Sequence, residues 1–129
     1  MPEHGTFVWN ELNTRDPEAA RDFYARTLGW TVEAMPMAAG GEYLIAKVGD
    51  RMVGGIFDIR NLPGMDQVPP HWFAYIEVDD VDARVAAAQQ AGGTLMRDIF
   101  EVPGVGRIAI VRDPTGAVVG WMTSAPQPG

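Results

Sequence analysis

The sequence predicts an α+β fold of two tandem βαβββ units whose strands form a curved mixed sheet enclosing a pocket. Three observations carry this. Two runs share one grammar of aspartate cap, helical run and closing glycine, DPEAARDFYARTLG at 16–29 and DVDARVAAAQQAGG at 80–93. Each is preceded by one short segment rich in strand formers and followed by three more. A shift of 64 residues places Asp16 on Asp80, Ala19 on Ala83, Gly29 on Gly93 and Trp9 on Phe73, and a shift of 66 places Gly54 on Gly120. The chain therefore reads as one supersecondary unit used twice.

In the first unit, about residues 6–58, FVWNELN forms the opening strand. Asp16 is a favourable N-cap, and Pro17 sits at the first helical position, where its missing N–H costs nothing. Glu18 complements the helix dipole. Ala20, Phe23, Tyr24 and Leu28 recur at helical spacing, so the aromatic pair reads as core packing. Gly29 stops the helix. Strands follow at 31–37, 42–48 and 51–58, with turns at Gly40-Gly41 and Gly49-Asp50.

The stretch RNLPGMDQVPP, residues 60–70, is a linker. The second unit, about 71–123, opens with the strand HWFAYIEVDD and a helix capped by Asp80 and closed by Gly92-Gly93. Strands near 95–101, 107–112 and 118–123 follow, with turns at PGVG and DPTG, and 124–129 is a frayed tail. The whole, 1–129, is one domain by length.

Composition narrows the chemistry. There is no cysteine, which removes disulfides, thiolate metal sites and cysteine nucleophiles. Ser124 is the lone serine and lies in no nucleophile elbow. GVGRIA leads into a strand and not a helix, so it is no dinucleotide fingerprint. The net charge of -7, with scattered basic residues, argues against nucleic-acid and membrane partners. The opening MPEHGTFVWNE has neither the basic start nor the apolar run of a signal peptide, so a cytoplasmic location is expected.

The segments DPEAARDFYARTLGW, EVDDVDA and VRDPTGAVVGWM, in this order, resemble the vicinal oxygen chelate superfamily, which includes glyoxalase I, bleomycin-resistance proteins and extradiol dioxygenases. The resemblance covers nearly the whole chain. It implies a cupped sheet around a pocket and, in metal-dependent members, His and Glu ligands on the first and last strand of each unit. Carried onto this chain, the four ligand positions hold Trp9, Phe73, Gly54 and Gly120. None supplies a metal-ligating side chain. No metal and no other cofactor is therefore expected.

Strand alternation then sorts the faces. With Trp9 turned inward, Glu11 is inward too; with Phe73 inward, so is Tyr75. Met52, Gly54 and Ile56, and Val118, Gly120 and Met122, are expected on the same side. The expected ligand-contacting set is Trp9, Glu11, Met52, Gly54, Phe73, Tyr75, Gly120 and Met122. Two readings stand for Trp9 and Phe73: walls for a planar ligand, or filler for a vacated cavity. Glu11 is the candidate acid/base, since burial would raise its pKa; the competing reading is a structural glutamate. The expected function is binding of a small, planar or aromatic molecule without metal. The alternatives are a lyase, isomerase or hydroxylase-like enzyme using Glu11, or a relative with relocated metal ligands. The linker permits unit pairing within one chain or between two, which leaves a homodimer open.

Overall fold

The computed structural model describes residues 2–37 and 40–126. Among them are nine strands and two helices, and the fold class is α+β. The elements are β1 (Phe7–Thr14), α1 (Pro17–Leu28), β2 (Thr31–Pro36), β3 (Glu42–Val48), β4 (Arg51–Asp58), β5 (His71–Glu77), α2 (Val81–Gln90), β6 (Thr94–Leu95), β7 (Phe100–Val102), β8 (Gly106–Arg112) and β9 (Val118–Ser124). They fall into two compact units, Trp9–Phe73 and the residues up to Val8 together with those from Ala74 onward.

In the unit Trp9–Phe73 the strand order is β2-β3-β4-β1. β1 runs parallel to β4, while β2–β3 and β3–β4 are antiparallel. Crossing from β1 to a parallel partner requires a long connection, and α1 with β2 and β3 provides it. The helix begins as its sequence dictates: Asp16 Oδ1 accepts the Ala19 N–H at 3.0 Å, and Pro17 occupies the first turn. It ends at Gly29, whose φ of 75° is left-handed. Leu12, Leu44 and Ile56 form the core beneath α1, joined by Ala20, Tyr24 and Val32.

The expected apolar face of α1 is only half correct. Ala20 and Tyr24 pack inward, but Phe23 is 58% and Leu28 59% exposed. Phe23 lies about 100° round the helix from Tyr24, on the flank of the buried stripe, and touches the Tyr24 ring edge-on. Tyr24 itself stacks on Trp30 and accepts a hydrogen bond from Trp72 Nε1 at 3.2 Å. The stretch after β4 is tied down by one side chain: the Arg15 guanidinium donates to the carbonyls of Met65, Asp66 and Val68.

In the other unit, β5 runs parallel to β9, β9 is antiparallel to β8, and β6 and β7 both pair with β8. The single strand expected at 95–101 is thus two short ones. Four residues, Met96–Ile99, stand against only Ala109 and Ile110 of β8, so the ladder cannot stay in step. β9 reaches Ser124, one residue into the expected tail, and residues 127–129 lie outside the described ones. Val78, Val81, Val85, Ala109 and Val111 form the core under α2. The cap again matches expectation, with Asp80 Oδ1 accepting the Ala83 N–H at 3.3 Å. Among the described residues no helix is long and apolar enough to cross a membrane.

Next to that cap, Arg84 grips Asp79 through two hydrogen bonds of 2.8 and 2.9 Å. The hydrogen bond from Arg84 is the main reason the Asp79 carboxyl is lowered from 3.8 to about 2. A depressed carboxylate stabilises the fold above its unfolded value and loses that contribution as pH falls through its folded one. Asp79→Asn is therefore expected to flatten the fall in melting temperature between about pH 4 and pH 2, measured by circular dichroism against the unaltered protein.

Candidate functional site

The face of the β3-β4-β1 sheet turned away from α1 carries the chemistry of the unit Trp9–Phe73. The register sets that face. Leu12 pairs with Ile56 and Ile56 with Leu44, all in the core under α1. Their neighbours Glu11, Gly55 and Ile45, paired in the same way, therefore face the other side. Trp9, two residues before Glu11, shares their face, as does Tyr43, two before Ile45.

Three of these side chains are joined by hydrogen bonds. Trp9 Nε1 donates to the Tyr43 hydroxyl at 2.9 Å, and that hydroxyl donates to Glu11 Oε1 at 2.8 Å. The direction of the first is forced, because an indole N–H can only donate. The Tyr43 oxygen accepts it, and its own hydrogen goes to Glu11. All three residues are half-buried. Tyr43 starts on β3 and Glu11 lies on β1, two strand spacings or roughly 9–10 Å away. The phenol bridges that gap by crossing β4 at Gly55. A Cβ on Gly55 would stand 1.7 Å from the Tyr43 hydroxyl oxygen.

The expectation that Gly54 and Ile56 face this side is overturned. Ile56 is wholly buried in the core under α1, and a Cβ on Gly54 would point at Asn10 O and toward the ring of Trp72. The glycine on the Glu11 face is Gly55. Met52 differs, because a bulge between Ala46 and Lys47 pairs it with Lys47 and restores it to the Glu11 side, where it is exposed.

In β5, Phe73, Tyr75 and Glu77 are the buried alternate positions. Phe73 meets the His71 ring edge-on. In the second unit the expected faces hold: Ile76 pairs with Trp121 of the α2 side, while Tyr75 pairs with Gly120 and Glu77 with Met122 on the opposite side. Glu77 accepts both the backbone N–H and the hydroxyl of Ser124, so it caps a neighbouring strand end. Since Glu11 pairs with Gly55 as Tyr75 pairs with Gly120, Gly55 is the true counterpart of Gly120.

A metal does not fit the positions where the resemblance puts its ligands. The Trp9 indole nitrogen offers no lone pair and is already donating. Phe73, Gly120, the expected Gly54 and its register-corrected neighbour Gly55 offer nothing, and the space above Gly55 is filled by a phenol. Of the histidines, His71 Nδ1 lies 2.9 Å from Pro69 O, and His4 Nδ1 accepts the Asp79 N–H at 3.0 Å. Among the described residues no three His, Asp or Glu side chains converge.

Tyr43 is the residue that sequence reasoning missed. Its signal was present: Gly54-Gly55 inside a strand marks a close approach by another group, and an aromatic two residues from the cross-strand partner lies within diagonal reach.

The family model described as "Glyoxalase/Bleomycin resistance protein/Dioxygenase superfamily" matches residues 6–120. A Mycobacterium tuberculosis protein named "Putative glyoxylase CFP32" is 43% identical over 125 residues, which are 97% of this chain and 46% of that protein. The "Anthracycline biosynthesis protein DnrV" of Streptomyces peucetius is 32% identical over 123 residues, 88% of this chain and 45% of that one. The chain thus spans about half the length of these curated relatives. Among solved structures, the methylmalonyl-CoA epimerase of Mycobacterium tuberculosis aligns with a TM-score of 0.66 at 17% identity, covering 98% of this chain and 94% of that one. A hypothetical protein, BH1468 of Bacillus halodurans, aligns with a TM-score of 0.75 at 10% identity, covering 98% and 99%. At such identities the likeness is one of fold.

Gly54 serves packing against β1. Its absent Cβ would lie 3.0 Å from the Asn10 backbone oxygen, and backbone gives way less readily than a side chain. Gly54→Ala is expected to lower stability by about 1–3 kcal/mol, read from urea denaturation, while leaving the Trp9–Tyr43–Glu11 chain in place.

Proposed function

The chain belongs to the Glyoxalase/Bleomycin resistance protein/Dioxygenase superfamily, and from that premise we propose that it binds a small organic molecule with a planar or aromatic part, without a metal. The binding surface in the unit Trp9–Phe73 is the face that carries Trp9, Glu11 and Met52. Phe73 is a further aromatic candidate at the start of β5, and within the other unit Tyr75, Gly120 and Met122 share one face of their own. The observation that carries this reading is the substitution at the ligand positions. Where a metal site needs lone pairs, this chain has an indole donating into a tyrosine–glutamate pair and a glycine covered by a phenol. Aromatic side chains supply large apolar contact area with little rotamer freedom to lose, which suits a flat ligand. Two relatives carry the name "Anthracycline biosynthesis protein", which supports a small organic ligand.

A second reading rests on Glu11. One of its oxygens is held by Tyr43, and an oriented carboxylate is what proton abstraction from a bound substrate requires. In that case the protein is an enzyme of the lyase, isomerase or hydroxylase-like kind.

A thermal-shift and calorimetric screen against planar polycycles and against flexible acyclic compounds separates the outcomes. Saturable binding confined to planar compounds is expected. At a free concentration of 100 times Kd this adds about 2.7 kcal/mol to stability. Glu11→Gln is expected to change affinity less than about threefold if the role is binding. A bound compound that is also converted, with turnover falling by roughly 10²–10⁴ in Glu11→Gln, would establish the enzymatic reading. Uniform failure of planar compounds would overturn the proposal.

A further inference from the structure

We infer that Tyr43 is a positioning residue: its phenol, laid across Gly55, fixes the Glu11 carboxylate and the Trp9 indole in one hydrogen-bonded constellation, and Gly55 is glycine to make room for it. The inference takes from the proposed function only the idea that Glu11 and Trp9 meet the ligand. The geometry stands independently of any ligand.

Glu11 and Trp9 are two residues apart on β1, so alternation puts them on one face but does not orient them. A glutamate on an open strand has three rotatable bonds to settle. Tyr43 holds one carboxylate oxygen from two strands away. Its ring leaves β3, crosses β4 where Gly55 has no side chain, and delivers its hydroxyl to both neighbours at 2.9 and 2.8 Å. The ring is steadied on its way, with its centroid 6.3 Å from that of Phe57. Any Cβ at Gly55 would collide with the phenol along its length, at 1.7 Å from the oxygen and 2.3 Å from the carbon that bears it. The flexible phenol would move, and both hydrogen bonds would go with it. Glycine at 55 is thus a requirement of the side chain above it, while the glycine beside it, Gly54, is a requirement of the backbone.

The test reads the Trp9 indole N–H by proton–nitrogen correlation spectroscopy, with the peak assigned from Trp9→Phe. No ligand is used, so its failure cannot be confused with failure of the binding proposal. Glu11→Gln is expected to move the indole resonance in the otherwise unaltered protein and to leave it still in a Tyr43→Phe background. Indole hydrogen exchange is expected to quicken at least tenfold in Tyr43→Phe, which keeps the ring and loses only the hydroxyl. Gly55→Ala should reproduce that exchange rate, and should no longer cost stability in a Tyr43→Ser background, where the phenol is gone. An indole signal that ignores Tyr43→Phe, or a Gly55→Ala cost that persists without the phenol, would overturn the inference.

Discussion

The phenol of Tyr43 joins β3 to β1 across the intervening β4 at a single oxygen. It receives a hydrogen from an indole that can only give one and passes its own to a carboxylate that can accept it. The indole end has only one workable polarity, and an ionised carboxylate at the other end only accepts. Three features of that face accompany it: the glycine beneath the ring, the parallel pairing that sets Glu11 on one flank of Gly55, and the antiparallel pairing that sets Ile45 on its other flank.

The rest of the unit makes that face possible by burying the other one. Leu12, Leu44 and Ile56 sit one position along from Glu11, Ile45 and Gly55, and they anchor the sheet against Ala20 and Tyr24 of α1. Burying such side chains is worth about 1.5–3 kcal/mol each, whereas a typical hydrogen bond adds about 1 kcal/mol net. The apolar layer therefore holds the sheet in register, and the polar chain is positioned by it.

Much of this architecture is legible in residue order. Caps, stops and most strands stand where Asp16, Pro17, Gly29, Asp80 and the glycine turns place them, because those signals act over a few residues. The errors come from longer range. A bulge in the β3–β4 ladder breaks simple alternation, so Met52 and Gly54, two apart, end on opposite faces. The same kind of irregularity split the strand expected at 95–101. Phe23 failed because a helical period cannot say how wide the buried stripe is. Tyr43 was missed because its partners are 32 and 34 residues away, a distance that only the sheet order closes.

Membership in a superfamily with metal-dependent members makes the donor set at the strand positions the deciding feature of this chain. Trp9, Phe73, Gly55 and Gly120 cannot replace imidazole and carboxylate ligands. The direct measurement is plasma mass spectrometry of the purified protein, as isolated and again after chelation and reloading with nickel, zinc, manganese and iron(II), with the melting temperature followed alongside. No retained stoichiometric metal and an unchanged melting temperature are expected. Near-stoichiometric metal that survives dialysis and raises the melting temperature would overturn the metal-free reading.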